Sequence, residues 1–176
     1  MRDVLFTYGT LQIPEVMTAV AGQVLPWMEA EAPGFAQFRF INRIYPGMFA
    51  REGARTPGRV YTGLNHQAWE LLDRFEDPIY RRELIEVYRS DGSNMKAHAY
   101  VLPVDQQHLL SSEVWEMDWF VETHLEGYVS RCRVFYEMII SEGSSQALFC
   151  SPGLHPAGGR MPLPEEGEAS SQNVES

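Results

Sequence analysis

The hydrophobic pattern opens with a short apolar and aromatic run, Val4-Leu5-Phe6-Thr7-Tyr8, which predicts a buried strand. The run breaks at Gly9. Pro14 stands where a first helical residue is well tolerated, because its missing N–H would have no intrahelical partner there, and Glu15 follows in the first turn. Val16, Met17 and Val20 recur at helical spacing, and Gly22 supplies a stop. The chain therefore opens strand, tight loop, short helix. From Met28 to Tyr61 the pattern is strand-like, punctuated by Pro33-Gly34, Pro46-Gly47 and Pro57-Gly58 as turn signals. Phe38 and Phe40 alternate with Gln37 and Arg39, as on a strand with one buried face, and Arg59-Val60-Tyr61 predicts a further strand.

Asn65 is a good helix N-cap, and Ala68, Leu71, Leu72 and Phe75 then share one helical face. Pro78 cannot continue that helix, which must stop near Glu76 or Asp77. Glu83 to Tyr88 and Met95 to Leu102 are strand-like, with Ser90-Asp91-Gly92-Ser93 as the hairpin signal between them. A second helix is expected from about Asp118, with Val121, Leu125, Tyr128 and Cys132 on its buried face and a broken continuation through Phe135 and Ile139. Strands up to Leu102 followed by a long helical pattern indicate an α+β domain rather than a doubly wound sheet. From Ser151 the composition shifts to Pro, Gly, Ser and Glu. The expected organisation is one domain over residues 1–150 and a disordered tail over residues 151–176.

Composition narrows the function classes. The chain has 176 residues, enough for one domain with a real core. Its net charge of −10 argues against nucleic acid as a partner, since phosphate binding needs clustered Lys and Arg. No apolar run approaches the roughly 20 residues a membrane span needs, so no membrane partner is expected. Met1-Arg2-Asp3 leads straight into the first strand without a secretory pattern, which makes a cytoplasmic location the expectation. With only Cys132 and Cys150, a disulfide scaffold is not expected and a Cys-rich metal site is excluded.

No nucleophile elbow, phosphate-binding loop or zinc-protease helix is present, and the histidines at 66, 98, 108, 124 and 155 have no metal-ligand spacing. Trp115 and Trp119 suit core or interface. Two segments remain. Phe6-Thr7-Tyr8-Gly9-Thr10-Leu11 is a strand ending in a glycine turn before a helix, which leaves backbone N–H groups free for an oxyanion; an ordinary connecting turn is the plain alternative. Asp73, Glu76 and Asp77 crowd the C-terminal end of a helix, where the dipole disfavours carboxylates by about 0.3–1 kcal/mol each. Neighbouring Arg74, Arg81 or Arg82 compensating them, or one carboxylate held there for catalysis, explain this equally well.

Tyr8-Gly9-Thr10-Leu11 after the first strand resembles the N-terminal signature of γ-glutamylcyclotransferase-like proteins, which include the plant avirulence-induced-gene-like proteins. Leu72-Asp73-x-Phe75-Glu76-x-x-x-Tyr80-x-Arg82 resembles that family's second signature; Tyr45-Pro46, Gly58-Arg59-Val60-Tyr61, Trp119-Phe120 and the helix through Leu125 and Tyr128 fall where it has comparable segments. The resemblance covers roughly Met1 to Arg131. It implies a mixed sheet closing into a small β-barrel with flanking helices. It also implies cyclisation of a small γ-glutamyl amine or γ-glutamyl amino acid to 5-oxoproline, without cofactor or metal. Glu76 would be the acid–base catalyst, and Tyr8, Gly9, Thr10 and Leu11 would bind the substrate, with a side chain at Gly9 colliding with ligand or with the turn's own conformation. The oligomeric state stays open. Asp77 departs from the family, which often has Gly after the glutamate, and the segment after Arg131 has no assignable counterpart. A non-catalytic ligand-binding or protein-interaction module of the same fold is the alternative.

Overall fold

The computed structural model describes residues 4–148; the expected domain limit at residue 150, Cys150 and the tail over 151–176 lie outside them. The elements are β1 (Val4–Thr7), a 3-10 turn (Thr10–Gln12), α1 (Pro14–Ala21), β2 (Trp27–Arg39), β3 (Pro46–Thr62), α2 (His66–Phe75), β4 (Arg81–Arg89), β5 (Asn94–Val101), a second 3-10 segment (Val104–Leu109) and α3 (Met117–Leu148). The strands form a closed barrel in the order β1-β3-β2-β4-β5. Every pairing is antiparallel except that of β1 with β5, where Leu5 lies opposite His98. The expected mixed sheet closing into a small barrel is therefore present. Among the described residues no helix is long and apolar enough to cross a membrane.

The buried apolar residues fall into three clusters, of which strand alternation separates the two largest. Phe6, Tyr8, Val60, Ile85, Val87 and Val101 fill the barrel interior, together with Ala30, Ala32, Ala97 and Ala99. A barrel this narrow has no room for a large side chain at every inward position, so alanines face the bulky ones. Leu5, on the other face of β1, packs outward with Val16, Met17, Val20, Leu71, Leu72 and Phe120 between barrel and helices.

Two Pro-Gly pairs that resemble turns lie inside long strands. Pro57 and Gly58 sit in β3 opposite Glu31 and Ala30. Glycine is needed at 58 because a Cβ there would stand 2.2 Å from the Thr7 carbonyl oxygen and 2.7 Å from the Phe6 ring. Pro33-Gly34 lies in β2 where the register shifts between Pro33 and Phe35, an irregularity that tolerates a missing N–H.

The helices follow the pattern more closely. Pro14 begins α1 and Gly22, at φ 69°, ends it. The Asn65 side chain caps α2 by accepting from the Ala68 N–H at 2.8 Å. The hairpin between β4 and β5 is held by Asp91, whose Oδ1 accepts from the Ser93 N–H at 2.8 Å. The second long helix differs from expectation: α3 runs unbroken, and its buried stripe begins at Phe120, fully buried, rather than at Val121, which is 40% exposed. Phe120, Tyr128 and Cys132 repeat at multiples of four, which places Val121 off that face. Burial pushes the Cys132 thiol up to about 12, leaving it an inert core residue.

Candidate active site

The end of α2 presents Glu76. Pro78 forbids further helix, and Glu76 already has extended backbone angles, φ −69° and ψ 143°, while its N–H still bonds the Leu72 carbonyl at 3.0 Å. Asp77 then starts a tight turn. Its carbonyl accepts from the Tyr80 N–H at 3.0 Å and its Oδ1 accepts from the Ile79 N–H at 3.0 Å. This turn delivers Tyr80 and the start of β4 to the same side as the Glu76 carboxyl.

Glu76 keeps partial solvent access, yet its carboxyl is closely surrounded. Burial first, then the charges of Asp77 and Asp73, push it up to about 8. Its negative charge in turn acts on the phenols of Tyr8, Tyr45, Tyr80, Tyr100 and Tyr128, out of eight tyrosines in the chain. Burial is the leading cause holding each of these phenols above its ordinary value, so all remain protonated. Tyr8 donates to the Tyr100 carbonyl at 2.6 Å, and Tyr80 donates to the Pro46 carbonyl at 2.7 Å. A phenol whose proton is committed to a carbonyl still offers its oxygen lone pairs to an incoming N–H.

The acids flanking Glu76 are both engaged. Asp73 accepts from the Tyr100 hydroxyl at 2.7 Å and pairs with Arg82 at 3.0 Å. Asp77 pairs with Arg43 at 2.8 Å. Among the described residues no ion pair includes Glu76. The departure at Asp77 thus comes with its own counter-charge, and of the three carboxylates at this helix end Glu76 alone has no ion-pair partner among the described residues.

The Tyr8–Leu11 turn lies against this constellation. Gln12 and Ile13 donate to the Gly9 and Thr10 carbonyls at 2.9 and 3.1 Å, and the Gln12 carbonyl is pinned by the Tyr61 hydroxyl at 3.0 Å and by Arg59 at 2.6 Å. The Thr10 and Leu11 N–H groups precede the first of these turn bonds and are not used by it. Thr10 Oγ1 donates to the Tyr128 hydroxyl at 3.3 Å, which joins the turn to α3. Gly9 has an ordinary φ of −124°; what it requires is closeness, since a Cβ would stand 2.8 Å from Pro46 Cγ. The turn does not need a glycine conformation at this position, contrary to expectation; a Cβ would instead meet Pro46. The Leu11 side chain packs into the helix-side core, so only its backbone is left to face a ligand.

The structure brings Tyr8 beside Glu76 and links Thr10 to it through Tyr128. It adds residues for which no role is predicted. Tyr45, Tyr80 and Tyr128 lie in recognisable segments, whereas Tyr100 and Arg43 carry no sequence signal beyond the high tyrosine count. Trp115 is core, its Nε1–H donating to the Ile44 carbonyl at 2.8 Å. Among the described residues no group of three or more His, Cys, Asp or Glu is arranged to hold a metal. An open groove of about 540 Å³ between α1 and α3, around Thr18, Gly22 and Tyr136, lies away from Glu76. Chemistry rather than volume locates the candidate site.

A family model described as gamma-glutamyl cyclotransferase, AIG2-like, matches residues 5–119, which include both the Tyr8–Leu11 turn and Glu76. AIG2-like protein C of Arabidopsis thaliana is 31% identical over 134 residues, covering 76% of this chain and 77% of that protein. AIG2-like protein D of the same plant is 27% identical, covering 76% and 88%. Among solved structures, the solution structure of an Arabidopsis thaliana protein matches with a TM-score of 0.58 at 23% identity over 81% of this chain and 94% of the other. A structure named gamma-glutamyl cyclotransferase matches at 0.52 and 15% identity over 57% and 66%. At these identities the structural likeness speaks to the barrel fold.

Proposed function

The chain belongs to the gamma-glutamyl cyclotransferase, AIG2-like family, and from that premise we propose that it converts a γ-glutamyl amine or γ-glutamyl amino acid to 5-oxoproline and the free amine. The observation that carries this reading is Glu76, a carboxyl pushed up to about 8 by burial within a ring of phenols and without a counter-cation among the described residues.

The α-amine of the substrate attacks its own γ-carbonyl carbon. A carbon–nitrogen bond closes the five-membered ring, and the bond to the leaving nitrogen then breaks. From the α-ammonium to the released ammonium, two protons leave one nitrogen and two arrive at the other. Glu76 relays them in turn and ends as it began. A carboxyl titrating near neutrality suits both directions of transfer, and an incoming ammonium beside it lowers its pKa further toward neutral pH. The lone pairs of Tyr8 and Tyr80 accept from that ammonium. The Thr10 and Leu11 N–H groups hold the glutamyl end and stabilise the developing oxyanion. Because the nucleophile belongs to the substrate, much of the acceleration comes from holding it folded, worth about 7–11 kcal/mol for a well-oriented intramolecular attack.

The test is incubation with γ-glutamyl amino acids, γ-glutamyl amines and glutathione, with 5-oxoproline measured by mass spectrometry. Release from at least one compound is expected. No release from any member of the panel overturns the reading in favour of a binding module.

A further inference from the structure

Arg43 lies in the loop between β2 and β3, beside the candidate site, and one end of its guanidinium is fixed. Nη1 donates to the Tyr45 hydroxyl at 2.9 Å and to Asp77 Oδ2 at 2.8 Å, which commits both of its hydrogens. The guanidinium lies over the Phe40 ring at 5.0 Å and the Tyr45 ring at 5.5 Å. The opposite edge, Nε–H with Nη2–H, takes part in no hydrogen bond or ion pair with the described residues. Those two parallel donors match the two oxygens of a carboxylate. The side chain is 26% exposed, so a ligand can reach it.

We propose that Arg43 is a specificity-determining residue that receives, on its Nε–Nη2 edge, the carboxylate of the amino acid released from a γ-glutamyl amino acid. This rests on the cyclotransferase reading above. With the γ-carbonyl at Glu76, the leaving nitrogen is one bond away and an amino-acid carboxylate carbon two bonds further, about one residue length. Arg43 lies close to Glu76, because it is bonded to the residue that follows Glu76 and to Tyr45, whose phenol senses the Glu76 charge. The surroundings otherwise repel such a group: Asp73, Glu76 and Asp77 lie together in a chain of net charge −10. An arginine already neutralised by Asp77 on one side and rigidly oriented loses little freedom in binding an anion on the other. The substrate class this favours is γ-glutamyl amino acids over γ-glutamyl amines.

The experiment compares γ-glutamyl-alanine with γ-glutamyl-ethylamine, the same molecule without the leaving carboxylate. Wild type should favour γ-glutamyl-alanine in kcat/KM. With each variant compared at its own optimal pH, Arg43→Met and Arg43→Gln should raise KM for γ-glutamyl-alanine at least about tenfold, the usual scale of a charge-assisted pair, and leave the ethylamine compound within about twofold. Arg43→Lys should retain part of the preference. Equal losses on both compounds overturn the proposal, since they place Arg43 on the glutamyl carboxylate or in the fold. Thermal melts of each variant separate the last case. The same pair is titrated by calorimetry into the Glu76→Gln chain with and without Arg43→Met. Wild type that releases no 5-oxoproline sinks the catalytic reading alone; binding that ignores the leaving carboxylate sinks the Arg43 proposal alone.

Discussion

Tyr100 donates its phenolic proton to Asp73 Oδ1 at 2.7 Å, so the carboxylate one helical turn before Glu76 is fixed close to it. Asp77 and that carboxylate both raise Glu76. As a base Glu76 acts deprotonated, so kcat/KM should rise with pH through about 8. Asp73→Asn removes one raising charge and should move this rise to lower pH. Asp77→Asn should move it further, because Asp77 is the larger contributor and its loss also frees Arg43 beside the site. A pH–rate profile that stays in place in both variants would detach the rise from Glu76.

Glu76→Gln keeps size and shape but cannot carry a proton. Release of 5-oxoproline should fall at least about 10²-fold while binding of a γ-glutamyl compound persists. Asp73→Asn and Asp77→Asn should lose less at their own optimal pH. An equally active Glu76→Gln would remove Glu76 from the mechanism.

The same carboxyl makes a prediction about stability. Its folded pKa of about 8 stands above the ordinary carboxylate value of 4.5, so between those limits the folded chain binds a proton that the unfolded chain does not. The contribution is fully present below the unfolded value and is lost as pH rises through about 8, on the order of a few kcal/mol. Denaturant titrations from pH 5 to 9 should show wild type losing stability across this window and Glu76→Gln losing markedly less. Parallel pH dependences would show that Glu76 ionises at little cost.

Gly9→Ala drives a methyl to within 2.8 Å of Pro46 Cγ, so one of the two segments must move. The expected loss is about 1–3 kcal/mol, with activity falling as well because Pro46 also accepts the Tyr80 hydroxyl. Pro46→Ala in the same chain should recover part of the melting temperature. No recovery would mean that the clash lies elsewhere.

Elements set by local chemistry were legible in the sequence. Pro14, Gly22, Asn65 and Pro78 act through their own backbone or the nearest N–H, and the helices begin and end where they dictate. Pro57-Gly58 misleads because glycine is demanded there by the carbonyl of Thr7, 51 residues away in sequence and invisible to any local pattern. The site divides in the same way. Glu76 and the Tyr8–Leu11 turn lie in recognisable segments, while Tyr100 belongs to a strand whose alternation only says that it is buried. Nothing near Arg43 in sequence announces Asp77 as its partner.

The bond from Tyr8 to Tyr100 spans 92 positions, and that from Thr10 to Tyr128 spans 118. A nascent chain therefore carries Glu76 into solvent long before the walls around it exist. Until the segments that bury it have packed, the carboxyl lacks the burial that is the leading cause of its raised pKa. Proton exchange near neutrality emerges late in synthesis, from the closing of distant segments on one another. Denaturant should accordingly erase the high pKa and the tertiary structure at a single midpoint, with no partly folded species that retains one without the other.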